Sequence, residues 1–83
     1  MFSVLIHKKA LKEIESFPEE DKDRIRRTIK EMAIDPFSGD VKPIKGARGV
    51  LRRRVGDYRI VFAVNFEKAE VVILKVGRRD KFY

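Results

Sequence analysis

The sequence predicts one α+β domain: an N-terminal strand, a helical hairpin, then a three-stranded antiparallel meander, in the order β-α-α-β-β-β. Three observations carry this expectation. Between Lys8 and Ala33 apolar residues recur at three- and four-residue intervals, the helical period. In the second half, short runs rich in Val, Ile and aromatic side chains follow the strand period. Those runs are separated by "GD" and "NFEKA", both of hairpin-turn composition.

Each element has its own signal. Residues 2–6, "FSVLI", form a short apolar run of strand type. From Lys8 to Phe17, the positions Ala10, Leu11, Ile14 and Phe17 make an amphipathic helix. Pro18 suits the first turn of a second helix, where a missing N–H does no harm. Glu19, Glu20, Asp21 and Asp23 complement the positive end of that helix's dipole. Ile25, Ile29, Met32 and Ala33 form its buried stripe, and Asp35-Pro36 ends it, because a residue before proline resists the helical region. Residues 36–49, with two prolines and three glycines, read as loop. Strands follow at about 50–55, 58–65 and 70–77. Ile14, Ile25, Ile29, Ile60 and Phe62 are expected in one core.

Composition narrows the function. A chain that is 43% hydrophobic and 40% charged, with no repeat, is globular. It has no apolar run long enough to span a membrane, and its N-terminus lacks the pattern of a signal peptide. With no cysteine there is neither a disulfide framework nor a thiolate metal site. A cytoplasmic location is the simplest expectation. The absence of Gln and Trp, with Asn65 the only asparagine, fits a heat-adapted source. The net charge of +7 is uneven: residues 1–41 carry eight Lys/Arg against nine Asp/Glu, residues 42–83 twelve against four. Such asymmetry points to a polyanionic partner, nucleic acid or acidic protein. The plainer alternative is a solvated thermophile surface.

The stretch "GVLRRRVGDYRIVF", residues 49–62, sharpens the question. If Gly56 and Asp57 are the turn, Val55 pairs with Tyr58, Arg54 with Arg59 and Arg52 with Val61. Alternation then places Leu51, Val55, Tyr58, Ile60 and Phe62 on one face, and Arg52, Arg54 and Arg59 on the other. Like charges set directly opposite each other are destabilising. Either acids from elsewhere surround them or an anion is their partner. Arg53 has the parity of the apolar face and is expected to snorkel out at the sheet edge.

"KPIKGARGVLRRRVGDYRIVF" followed by "VVILKVGRRDKFY" resembles the RelE/ParE family of toxin–antitoxin toxins. Upstream, "KKALKEIESFPEEDKDRI" is similar to that family's helical hairpin, so the likeness spans essentially the whole chain. Arg53 and Leu51 depart from the pattern, which usually has an apolar and an aromatic residue there. The resemblance implies a RelE-like fold over residues 1–83 and a type II toxin that cuts mRNA in the ribosomal A site. It places phosphate handling on Arg52, Arg54, Arg59, Arg79 and the terminal Tyr83. Lys42, Lys45 and Arg48 of the glycine-bearing loop, with Arg78, are candidates to track an RNA backbone, a solvated loop being the equal alternative on the residues alone. The resemblance also implies a cognate antitoxin that wraps the toxin with acidic or apolar segments, ribosome, mRNA and rRNA as further partners, and neither metal nor cofactor. ParE-type relatives share the scaffold and poison DNA gyrase without such chemistry, and a toxin-like scaffold that only binds RNA is a further alternative.

The chemistry is consistent on its own terms. Metal-free RNA cleavage proceeds by 2′-hydroxyl attack on the adjacent phosphorus, and charge builds on the phosphorane oxygens. Guanidiniums meet phosphate oxygens in bidentate fashion and stay charged, which also makes them poor at moving protons. His7, the lone histidine, reads as a surface residue at the strand–helix junction. That leaves Tyr83 as the candidate base in the basic half, its pKa lowered by neighbouring positive charge.

Overall fold

A computed structural model of the protein describes residues 1–78. Along the chain run β1 (Ser3–Ile6), α1 (Lys8–Glu15), α2 (Glu19–Ile34), β2 (Val41–Pro43), β3 (Leu51–Val55), β4 (Tyr58–Asn65) and β5 (Glu70–Arg78). The strands form one sheet in the order β1-β5-β4-β3-β2.

β3, β4 and β5 make the expected antiparallel meander. Two features differ from expectation. β1 lies parallel to β5, Ser3 beside Glu70 and Ile6 beside Ile73, so the sheet is mixed. A parallel pair needs a long crossover, which everything between residues 7 and 69 supplies. Within the segment expected as loop, residues 41–43 form β2, antiparallel to β3. Pro43 is compatible with this because β2 is an edge strand and no ladder bond is lost on its outer side. Val41 packs against the core.

Both helices cover one face of the sheet. Ala10 and Ile14 of α1, Ile25 and Met32 of α2, Tyr58, Ile60 and Phe62 of β4, and Val71, Ile73 and Val76 of β5 form a single buried cluster. Ile29 packs half-buried at its rim. Leu11, expected in the α1 stripe, is 44% exposed. Ala10 and Ile14, one turn apart, already face the core, and Leu11 lies a further 100° round the helix. Thr28 is buried instead, its hydroxyl donating to the Arg24 carbonyl at 2.9 Å.

The helix ends follow from local chemistry. His7 caps α1, its Nδ1 accepting from the Lys9 N–H at 3.2 Å. Pro18 is the N-cap of α2 rather than its first helical residue, and its carbonyl accepts from the Asp21 and Lys22 N–H groups. At the far end the Asp35 N–H donates to Glu31 O, while the Asp35 carboxylate accepts from Phe37 N at 3.0 Å.

The β3–β4 hairpin has the expected register, with Val55 opposite Tyr58. Gly56, at φ +57°, is the first residue of the two-residue turn, where a left-handed conformation favours glycine. Replacing Gly56 by Ala should destabilise the fold by ~1–2 kcal/mol, which lowers the melting temperature by roughly 4–16 °C in a domain of this size. An unchanged thermal melt would contradict this account of the turn.

Candidate nucleic-acid interface

The sheet face opposite the helices is built in cross-strand rows. Arg54 stands opposite Arg59, and Arg59 opposite Gly77. The next row runs Lys42, Arg52, Val61, Lys75. Five cations from four strands therefore share one face: Lys42, Arg52, Arg54, Arg59 and Lys75. Directly opposed Cβ atoms lie about 5 Å apart, so the Arg54 and Arg59 side chains can close on one phosphate. Gly77 adds no side chain to that row.

Acids from elsewhere neutralise part of this face. Arg52 Nη1 donates to Asp40 Oδ1 at 3.2 Å and to the Asp40 carbonyl at 3.1 Å. The same carbonyl accepts from the Arg54 backbone N–H. Asp40 thus fixes the Arg52 guanidinium, whose side chain is only 13% exposed, while Arg54 is exposed to solvent.

Arg53 corrects the expectation that it snorkels into water. Its side chain is 12% exposed; Nη1 donates to the Ser38 carbonyl at 2.8 Å and Nη2 to Glu31 Oε2 at 3.3 Å. A Cβ on Gly39 would lie 2.5 Å from the Arg53 guanidinium carbon, so the loop passes directly over it. Arg53 joins β3 to the end of α2 and belongs to the framework.

β5 carries a bulge that decides which of its side chains reach the cationic face. Val61 pairs with Lys75 and Phe62 with Ile73, leaving Leu74 as the extra residue. Alternation from Val71 and Ile73 alone would send Lys75 toward the helices. The bulge reverses the parity, so that Val76 is buried and Lys75 joins the arginines. It also turns Arg78 to the helix side, opposite Tyr58, with its guanidinium 5.9 Å from the ring centroid. Lys75 was not among the expected site residues, and its signal is subtle: buried positions at 71, 73 and 76 break the two-residue period.

The remaining expected residues are spread more widely. Lys45 and Arg48 are exposed on the 44–50 loop at the tip of the β2–β3 hairpin. Arg79 and Tyr83 lie outside the described residues. Tyr58 is buried on the other face, its hydroxyl donating to Asp21 Oδ2 at 2.8 Å and its ring 4.5 Å from that of Phe17. Burial, and then the bond to the Asp21 carboxylate, raise its pKa above the usual tyrosine value. His7 is occupied in capping α1.

A small α+β domain with helices on one sheet face and clustered guanidinium and ammonium groups on the other has a charge arrangement that attracts polyanions. Residues 4–83 match the family profile described as ParE toxin of type II toxin–antitoxin system, parDE. The chain belongs to this RelE/ParE family of type II toxin–antitoxin toxins. It is 29% identical to the candidate toxin RelE1 of Methanocaldococcus jannaschii, over 99% of this chain and 94% of that protein. Its fold superposes on the crystal structure of the archaeal RelE–RelB complex from Pyrococcus horikoshii with a TM-score of 0.82 and 28% identity, covering 96% of this chain and 97% of the other. The RelB–RelE antitoxin–toxin complex from Methanococcus jannaschii gives a TM-score of 0.78 at 29% identity, covering 95% and 94%.

Proposed function

We propose that this toxin is a RelE-type endoribonuclease that cuts mRNA in the ribosomal A site. The observation that carries the reading is the Arg54–Arg59 pair, set face to face beside Arg52 and Lys42. Two guanidiniums so placed can both meet the oxygens of one phosphate. In the reaction a 2′-hydroxyl loses its proton and attacks the adjacent phosphorus. The phosphorane oxygens gain charge, and the 5′-oxygen leaves with a proton. Arg52, Arg54, Arg59 and Arg79 stabilise the developing charge. Tyr83 moves a proton, and with Tyr58 committed to Asp21 it is the tyrosine left for that role. Lys42, Lys45, Arg48 and Arg78 hold the flanking backbone. No metal enters this scheme.

The partner that restrains the toxin is a cognate antitoxin. The P. horikoshii and M. jannaschii relatives are each named as RelE in complex with RelB, and the cationic face suits an acidic chain that competes with RNA. Cytoplasmic action follows from a ribosomal target. Among the described residues, no helix is long and apolar enough to cross a membrane.

The matching profile carries the ParE name, which favours a second reading: a non-enzymatic toxin that inhibits DNA gyrase. Induction of the chain separates the two. Primer extension should reveal mRNA cuts at A-site positions, and purified protein should truncate mRNA in a translating extract and leave it whole without ribosomes. Intact mRNA with failed supercoiling by gyrase would establish the ParE-type reading instead.

A further inference from the structure

The charge split between the two halves of the chain conceals a local feature. Residues 1–41 carry net negative charge, yet three of their lysines, Lys8, Lys9 and Lys12, gather on α1, all exposed. None has a carboxylate partner among the described residues. Glu13, the nearest acid in sequence, is directed elsewhere: its Oε1 accepts from the Val76 N–H at 3.1 Å, capping β5 where β1 no longer covers it.

The placement of Lys8 and Lys9 opposes helix stability, whereas Lys12 lies in the last turn, where a cation is favourable. A helix N-terminus favours acids, and α2 has Glu19, Glu20 and Asp21 in its first turn. The first turn of α1 has no acid and begins with two lysines. Lys8 and Lys12, one turn apart, also repel each other.

Their position explains the arrangement. Lys9 lines a cleft together with Lys75, Gly77 and Arg78 of β5, with Glu13 at its wall and Phe17, Pro18, Tyr58 and Val76 as its apolar part. Gly77 faces Arg59 across the sheet, and Lys75 belongs to the arginine face. Positive charge is therefore continuous from Arg54 and Arg59, past Gly77 and Lys75, around the edge of β5 to Lys9 and on to Lys12. Outside that cleft lies a shallow depression lined by His7, Lys8, Lys9, Lys12, Glu13 and Ser16, without one apolar side chain. A docked protein segment needs apolar anchors. A phosphate backbone needs only spaced, mobile cations.

We infer that the α1 lysines, joined to the arginine face through Lys75, form a second contact surface for an RNA backbone, one that sets affinity and leaves the cleavage step untouched. The inference rests on the reading of the arginine face as an RNA site.

Fluorescence anisotropy with a labelled single-stranded oligo(U) carrying 2′-O-methyl sugars, which cannot be cleaved, tests it directly. A Lys8/Lys9/Lys12→Gln variant should bind ~10–100-fold more weakly at low salt, with a log–log salt slope shallower by about 2. An Arg26/Arg27/Lys30→Gln variant on α2 removes the same charge elsewhere and should bind nearly as the parent does. Equal losses in both variants would mean that only net charge matters and would overturn the inference. If the α1 variant binds normally while a Lys42/Lys45→Gln variant is weakened, the extension onto α1 is wrong and the arginine-face reading survives. If the Lys42/Lys45→Gln variant also binds normally, the RNA reading itself fails. A lysine variant that loses affinity for poly-glutamate and keeps its affinity for RNA would assign the surface to an acidic protein, again overturning the inference.

Discussion

Arg54→Ala should cleave mRNA on programmed ribosomes ~10²–10³ more slowly than the parent, the loss of one preorganised charge donor in the transition state being worth about 3–4 kcal/mol. Arg59→Ala should lose a similar factor. Both effects should appear in the single-turnover rate at saturating ribosome and much less in the affinity. Thermal melts supply the discriminating half of the experiment. Arg54 is exposed and directly opposite Arg59, so removing it should leave stability unchanged or raise it by up to ~1 kcal/mol. A variant that melts much earlier and cleaves normally would make Arg54 a structural residue and end its place in the site.

The adjacent residue should behave in the opposite way. Arg53→Ala removes the donor to the Ser38 carbonyl and the tie to Glu31. Glu31 is largely exposed, so the ion pair itself contributes little. The part-buried bond to the carbonyl matters more, and its loss should destabilise the fold by about 1.5–3 kcal/mol, lowering the melting temperature by roughly 6–24 °C. Below that melt the variant should cleave at close to the parental rate. Retained stability with lost cleavage would instead move Arg53 into the site. Two neighbouring arginines with reversed phenotypes, read by the same two assays, test the alternation of the hairpin directly.

That alternation was legible because one signal determines it. Gly56-Asp57 can be only a short turn, and once Val55 meets Tyr58 the face of every residue from 51 to 62 follows. Features that depend on distant residues were not legible. Arg53 showed the right parity, yet its partners lie 15 and 22 positions away. Asp40 sits in a segment whose prolines and glycines read as loop, and nothing local links it to Arg52. The bulge at Leu74 is set by how β5 meets β4, so it moved Lys75 onto the cationic face and Arg78 off it. The α1 lysines were hidden by averaging, since a half-chain sum cannot show that the acids of α2 point elsewhere. Leu11 was misplaced because a three-and-four pattern on a short helix holds more apolar positions than the sheet contacts.

The pairing of β1 with β5 bears on how the toxin is born. Residues 3–6 are synthesised long before residues 70–73 and must wait for them. Until then β1 has no neighbour, and the floor of the basic face lacks its Gly77 and Lys75. Pairing across so much intervening chain is slow to form, because the whole loop must close before any contact rewards it. The β3–β4 hairpin, closed by two residues, is local and quick by comparison. In the nascent chain the arginines are therefore made before the surface that organises them. Synthesis order by itself gives the cell an interval in which the toxin exists as sequence and not yet as a weapon.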